Sequence, residues 1–507
     1  MPHVVTQSCC ADASCVLACP VNCIHPAPGE PGFGTAEMLY IDAAACVDCG
    51  ACTTACPVGA IDHVSRLTPD QLPFVELNRA YFVAEPHADR TPLAHVPKTS
   101  YDVAPMRVAI VGAGPAGLYA ADELLKVPGM TVHVYDRLLT PHGLVRAGVA
   151  PDHTRTKRAQ DLFAQIEQEQ GFDYRLGVEV GVDISHAELA AAYDAVLYSV
   201  GAATDRRLGV EGEELPGSVS ATELVAWYNG HPERAHDSYD LDTQRAVVIG
   251  NGNVALDVAR VLTLPPEHLA HTDISDLALA ALRDSRIEEV VVLGRRGPEH
   301  AAFTLPEMIG LSGEDDIDIV VEGEIPTTTA KTRQLRLLAG RNPIGGGRRR
   351  IVFRFHAETE QILGTDRATG VRLKGTGEVI DAGLVIRAVG YRAHAVPDLP
   401  FDEERAVVPN ERGRVMPGTY VAGWIKRGPN GFIGTNKTDA AETVAALLDD
   451  ARAGLLTAPT TPPPAVDAID LAGWQRIAAA ERAAGATAER PRVKLLDRDA
   501  LGAAARS

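Results

Sequence analysis

The sequence predicts an α/β protein with two Rossmann-like dinucleotide-binding units behind a small, cysteine-rich α+β module. Three observations predict it. RVAIVGAG, from Arg107, is a β-branched strand ending in glycines, and the helical pattern GLYAADELLKV and a second strand, TVHVYDR, follow it. RAVVIGNGNVALDVARVL, from Arg245 to Leu262, repeats strand, glycine turn and helix. All nine cysteines of the 507-residue chain fall between Cys9 and Cys56.

The bulk composition, 46% hydrophobic and 23% charged, is that of a globular protein of roughly three domains. No apolar run approaches the ~18–20 residues needed to span a bilayer. MPHVVTQSCC has no basic region followed by an apolar core, so a secretory signal is not expected and the cytoplasm is. A net charge of −19 argues against nucleic acid and anionic membranes as partners. In a reducing compartment a dense cysteine block reads as a metal site. The later domains have no cysteine, which excludes electron relay through a protein dithiol beside a flavin.

Within the N-terminal module, Cys46-x2-Cys49-x2-Cys52-x3-Cys56-Pro57 is the bacterial iron–sulfur run, whose fourth cysteine ligates the other cluster. Cys19, followed by Pro20, crosses over in the same way. One [4Fe–4S] cluster is therefore expected on Cys19, Cys46, Cys49 and Cys52. A zinc ribbon fits the CxxC pairs but not the crossed CxxxCP repeats. The second cluster would use Cys15, Cys56 and one of the adjacent Cys9 and Cys10. Two neighbouring cysteines reach two corners of one cube poorly, so three ligands and [3Fe–4S] are expected, with a second [4Fe–4S] as the alternative.

The first glycine turn is Gly112-Ala113-Gly114-Pro-Ala-Gly117. Its glycines permit the tight turn, the approach of a pyrophosphate and the packing of helix on strand, and the phosphate would sit at the helix N-terminus. Asp136 ends the next strand, where a ribose hydroxyl is read. The second turn is Gly250-Asn251-Gly252-Asn253-Val254-Ala255. The strand that follows, EEVVVLGRR, ends in Arg295 and Arg296, which suit a 2′-phosphate. The stretch PPEHLAHTDISDLALAALRDSR must then be an inserted helical segment. An acid at one turn and an arginine pair at the other suggest FAD plus NADPH.

VGAGPAGLYAA, GLVRAGVAPDH, GNGNVALDVAR, GRRGPEHAAFTLPE and GWIKRGPNGFIGTNK resemble the adrenodoxin-reductase-like ferredoxin–NADP reductases over Met106 to about Asp450. The first ~62 residues resemble a bacterial seven- or eight-iron ferredoxin, and VVTQSC resembles the strand that delivers the first seven-iron ligand, favouring Cys9. The resemblance implies an FAD domain interrupted by an NADPH domain. Its boundaries are ferredoxin 1–62, linker 63–105, FAD domain 106–205 and 381–450, NADPH domain 206–380 and tail 451–507. It implies NADPH contacts at Arg206, Asn251 to Val254, Arg295, Arg296 and Glu307. FAD contacts are implied at Ala113, Asp136, Leu144, Val180, Trp424, Gly431, Phe432 and Ile433. It also implies a proton-handling role for His153 and Glu307, or polar ligand contact alone.

The expected function is ferredoxin–NADP+ reductase activity: hydride from NADPH to FAD, then single electrons to the attached clusters and to an external ferredoxin or haem monooxygenase. The alternatives are an electron-input subunit of the glutamate-synthase small-subunit type and a non-catalytic redox sensor. Three smaller expectations complete the reading. QLPFVEL in the linker could be a short strand. The basic run Gly345 to Arg350 is a solvated turn rather than a docking patch. The tail from Asp467 is helical and carries no functional signal.

Overall fold

The computed structural model describes residues 3–91, 103–339 and 348–507. In the N-terminal module, His3–Val5 pairs antiparallel with Ile61–His63, and Ile24–His25 with Tyr40–Ile41. Two five-residue helices, Ser14–Ala18 and Ala51–Ala55, pack on each other. Each is entered through a left-handed residue, Ala13 (φ 61°) or Gly50 (φ 73°). Each ends on a cysteine in the same extended conformation, Cys19 (ψ 115°) and Cys56 (ψ 114°). This internal duplication underlies the crossed cysteine repeats.

QLPFVEL is not a strand. Pro73–Ala84 forms a helix, preceded by a 3-10 turn that a Thr68–Gln71 capping box starts, with prolines at both N-termini. Phe74 and Asn78, four residues apart on one face, are buried against the iron–sulfur module. The Asn78 amide accepts from the N–H of Val5 and Ile41 and donates to the Val5 carbonyl. Tertiary burial of that face overrode the local β-branched preference. Part of the expected linker is thus a third layer of the module; residues 92–102 of it lie outside the described residues.

Two six-stranded sheets follow. The first runs Arg414–Met416, Thr419–Val421, Ala195–Tyr198, Arg107–Val111, Thr131–Asp136, Phe172–Leu176, parallel except at the Arg414–Met416 edge. The second runs Ser218–Ser220, Leu384–Arg387, Arg245–Ile249, Glu289–Leu293, Arg349–Arg354, Ile317–Glu322, all parallel. Thr419–Val421 rejoins the first sheet, so that domain is interrupted as expected. Leu384–Arg387, expected in the returning part of the first domain, instead lies inside the second sheet, between Ser218–Ser220 and Arg245–Ile249. A strand buried on both faces shows no alternation to declare its sheet, and long-range packing decides it. The chain crosses back just afterwards, where Tyr391–Arg392 pairs with Thr204–Asp205.

The inserted segment is helical, with helices at Pro266–Ala270 and Asp276–Arg283. Arg348, Arg349 and Arg350 of the basic run donate to Asp315, Leu262, Ser285 and Glu289, which makes them structural; Gly345 to Gly347 lie outside the described residues. The tail forms helices Leu471–Thr487 and Arg498–Arg506, and Ile469 bridges to Leu176 at the edge of the first sheet. Among the described residues no helix is long and apolar enough to cross a membrane.

Candidate functional site

At the first turn Gly112 has φ 110°, and a Cβ there would stand 2.6 Å from the Ser199 carbonyl oxygen. A Cβ on Gly117 would stand 2.1 Å from the Gly112 carbonyl oxygen, so only glycine lets the helix Pro115–Leu125 close on the turn. Gly114 differs: no atom lies within 4 Å of where its Cβ would be, which leaves the backbone open to a pyrophosphate. Asp136 accepts from the N–H of Ala113 and Leu138. Burial pushes its carboxyl up, partly offset by those two bonds, and a second lone pair on each oxygen remains for a ribose hydroxyl.

Leu144 is an exposed leucine beside this turn, the apolar surface a flavin would cover. Trp424 is half-buried, leans on Tyr391 and donates to the Asn430 carbonyl. Val180 packs at the edge of the same core. Gly431 (φ 85°), Phe432 and Ile433 lead into the helix Thr435–Arg452, with the Phe432 N–H donating to Thr435. These residues fit FAD.

At the second turn Gly250 has φ 117° and its Cβ would meet the Ala388 carbonyl oxygen at 2.2 Å. Asn251 and Asn253 do structural work: their side-chain oxygens accept from the N–H of Ala302 and Thr304, fixing the loop over the turn. Val254 is half-buried behind them. Around Gly252 the nearest atom to a Cβ would be 3.9 Å away. Arg295 and Arg296 are exposed at the strand end, and their guanidinium groups have no partner among the described residues. Arg206 is exposed beside the interdomain ribbon, its N–H bonded to the Gly390 carbonyl. These residues fit NADPH.

His153 and Glu307 meet between the two units: Nε2 of His153 lies 3.6 Å from Oε2 of Glu307. The sequence reading missed the buried residue that organises them. Arg260 bonds His153 Nε2 at 2.9 Å and pairs with Asp152 and Asp257. A guanidinium only donates, so Nε2 accepts and the imidazole proton sits on Nδ1. Burial is the largest single influence and works to raise the Asp152 carboxyl, but the Arg260 charge and hydrogen bond, together with His153, hold the group at about 2. Arg260 follows Asp257 by one helical turn, a spacing too common to have marked it.

Cys19, Cys46, Cys49 and Cys52 line one cavity of the N-terminal module, with Cys23 beside them. Cys9, Cys15 and Cys56 form a second group: after burial, Cys9 and Cys56 raise the Cys15 thiol and Cys56 raises that of Cys9, and the neighbouring Cys10 feels both as well. Burial, the larger cause, pushes Cys9 up to about 11. Iron would reverse that by binding the thiolate. N–H groups aim at three of the sulfurs: Cys23 at Cys19, Leu39 at Cys9 and Ala60 at Cys56. Such bonds stabilise cluster ligands. Cys10 packs into the core of the first nucleotide domain, and its carbonyl accepts from the Gly434 N–H at 2.8 Å. Both cysteine sets fit iron–sulfur clusters.

Residues 1–62 contain six acids and no Lys or Arg. Three of the acids hold the module on the rest of the chain. Asp12 pairs with Lys437 at 3.0 Å and Asp62 with Arg155 at 2.7 Å, both on the first nucleotide domain. Glu37 pairs with Lys331 of the second at 3.0 Å. A Cβ on Gly434 would stand 2.3 Å from the Asp12 nitrogen, so glycine permits this close seat. Cys9, Cys10 and Cys56 pack against the core of the first domain; Cys49 is exposed.

The family model for pyridine nucleotide-disulphide oxidoreductases matches residues 106–291, and that for the 4Fe-4S binding domain residues 39–62. A probable ferredoxin/ferredoxin–NADP reductase of Mycobacterium leprae is 51% identical, covering 98% of this chain and 96% of the relative. The NADPH:adrenodoxin oxidoreductase of Arabidopsis thaliana is 38% identical over 79% of this chain and 95% of its own length. Mycobacterium tuberculosis FprA, solved in complex with NADPH, superposes with a TM-score of 0.72 at 40% identity, covering 80% of this chain and 99% of FprA.

Proposed function

This chain belongs to the fused ferredoxin/ferredoxin–NADP reductases, and from that premise we propose how its residues divide the work of moving electrons from NADPH to ferredoxin-type acceptors. FAD, when bound, takes two electrons as hydride and releases them singly, the conversion that joins NADPH to iron–sulfur chemistry. The observation that carries the reading is the seat of the ferredoxin module across both nucleotide domains, on Lys437, Arg155 and Lys331. It brings the segment Cys10 to Asp12, next to one cysteine set, onto Gly434 at the end of the loop Gly431 to Ile433, so transfer needs no diffusional encounter.

In this reading Gly114 and Gly252 admit the two pyrophosphates, Asp136 holds the flavin ribose, and Arg295, Arg296 and Arg206 hold the NADPH phosphates. Leu144, Val180, Trp424 and Ile433 keep water from the flavin. His153 and Glu307 border the hydride path. The Arg260 guanidinium fixes the ring by donating to Nε2, which orients His153 for exchanging the flavin proton. The acceptor beyond the clusters is a one-electron protein such as a separate ferredoxin or a haem monooxygenase. The compartment is the cytoplasm, where nine free thiols stay reduced until iron binds them.

We assign [4Fe–4S] to Cys19, Cys46, Cys49 and Cys52, and [3Fe–4S] to Cys9, Cys15 and Cys56. Cys9→Ser is expected to remove the EPR signal of the oxidised [3Fe–4S] cluster, and Cys10→Ser to retain it. Loss of that signal in Cys10→Ser with retention in Cys9→Ser would overturn the ligand assignment.

A further inference from the structure

The helix Leu305–Ser312, which carries Glu307, belongs to two cores at once. Met308 and Leu311 pack into the second nucleotide domain. Leu305 and Ile309, four residues apart on another face, pack into the ferredoxin core. The ferredoxin also grips this helix through polar groups. Glu37 accepts from the Leu305 N–H at 2.7 Å, satisfying a free donor in its first turn. Gln7 donates from its amide to Oε2 of Glu307 at 2.8 Å. One turn on, Gly310 makes room: a Cβ there would stand 2.1 Å from the Gln7 amide oxygen. Gln7, His153, Arg155 and Glu307 border one polar cavity of about 210 Å³ at the junction of the three modules.

We propose that Gln7, a ferredoxin residue, is a positioning residue for the NADPH site: it holds the Glu307 carboxylate, so the reductase site is complete only with the ferredoxin seated. The inference rests on the reading of Glu307 as an NADPH contact. A carboxylate that accepts from a fixed amide loses rotamer freedom, and the bond is charge-assisted. Its partner lies three hundred residues away in sequence, on a module whose known task is to receive electrons. The seat then acts on the input side of the reaction as well as the output side.

The test uses the full-length holoenzyme and measures the Kd for NADP+ by flavin difference spectroscopy, and KM and kcat for NADPH with ferricyanide. Gln7→Leu keeps the size and removes the donor. Because Gln7 is close to Cys9, EPR is recorded to confirm that both clusters are loaded. Gly310→Ala displaces the same amide from the reductase side, leaving the ferredoxin sequence unchanged, and decides the question where Gln7→Leu fails to load. Both variants are expected to raise the Kd and KM about tenfold, the scale of one charge-assisted hydrogen bond, with kcat changed far less. Gln7→Asn, which keeps an amide on a shorter arm, is expected to recover part of the loss. Values within twofold of the parent in Gln7→Leu and Gly310→Ala would overturn the proposal. Glu307→Gln separates the two readings: if it leaves NADP+ binding unchanged, the assignment of Glu307 fails; if it weakens binding while Gln7→Leu does not, only the role of Gln7 fails.

Discussion

Replacing Arg295 and Arg296 together by serine is expected to weaken the use of NADPH by about 10²–10⁴-fold in kcat/KM, at roughly 1.5–3 kcal/mol for each charge-assisted phosphate contact. NADH turnover should stay nearly constant, because the free ribose never used the arginines. Both guanidinium groups stand exposed at the end of Glu289–Leu293 with no partner among the described residues. In a chain of net charge −19, two arginines without carboxylate neighbours to bind leave their forks available for a dianionic ligand. Steady-state kinetics with both nucleotides checks this. An unchanged preference for NADPH would move 2′-phosphate recognition elsewhere, with Arg206 the next residue to test.

The second large effect concerns stability. Asp273→Asn is expected to destabilise the protein by about 3–5 kcal/mol, the cost of leaving buried charge without its partner. Asp273 lies between Lys157, at 3.1 Å, and Lys494, at 3.0 Å, and all three are buried. The group joins three parts of the chain: Lys157 follows the first glycine unit, Asp273 sits in the inserted segment of the second domain, and Lys494 is in the tail. Burial lowers the pKa of both lysines, and the aspartate opposes that. Burial also works to raise Asp273, but the two lysines outweigh it and hold its carboxyl well below the usual range. The stability it contributes is present above the unfolded carboxylate pKa, near 4, and is lost as pH falls through the depressed folded value. Removing the carboxylate leaves two ammonium groups near the buried pair Arg146–Glu481, which already sits beside Arg492. Thermal unfolding and limited proteolysis of the tail should both report the loss. A variant with parental melting and an uncut tail would contradict the clamp.

How much of this was legible in the sequence follows from the range of the physics involved. The glycine turns, the Asp136 and Arg295–Arg296 strand ends and the CxxCxxCxxxCP run announce themselves because each is local: steric demands on a few consecutive residues dictate their types. The ownership of Leu384–Arg387 was not legible, since LVIR is buried in either sheet and carries no face pattern. The helix Pro73–Ala84 was hidden by Phe, Val and Leu in a short window, although the Thr68–Gln71 capping box and the two prolines were signals of a helix start. Arg260 and Gln7 act through partners a hundred and three hundred residues away, and nothing in their neighbourhoods distinguishes them. The tail read as featureless because what it buries, Trp474, Ile477 and Leu501 against the first domain and the charges Glu481 and Lys494, is scattered through an Ala- and Arg-rich pattern that would look the same if solvated.

The central claim is that NADPH electrons pass from a flavin to the seated ferredoxin within one chain. Anaerobic titration of the holoenzyme with NADPH, following flavin absorbance and iron–sulfur EPR together, tests it most directly. The expected result is bleaching of the flavin with a change in a cluster signal in step. Flavin reduction with both cluster signals unchanged would contradict internal transfer and leave the attached ferredoxin outside the path from NADPH.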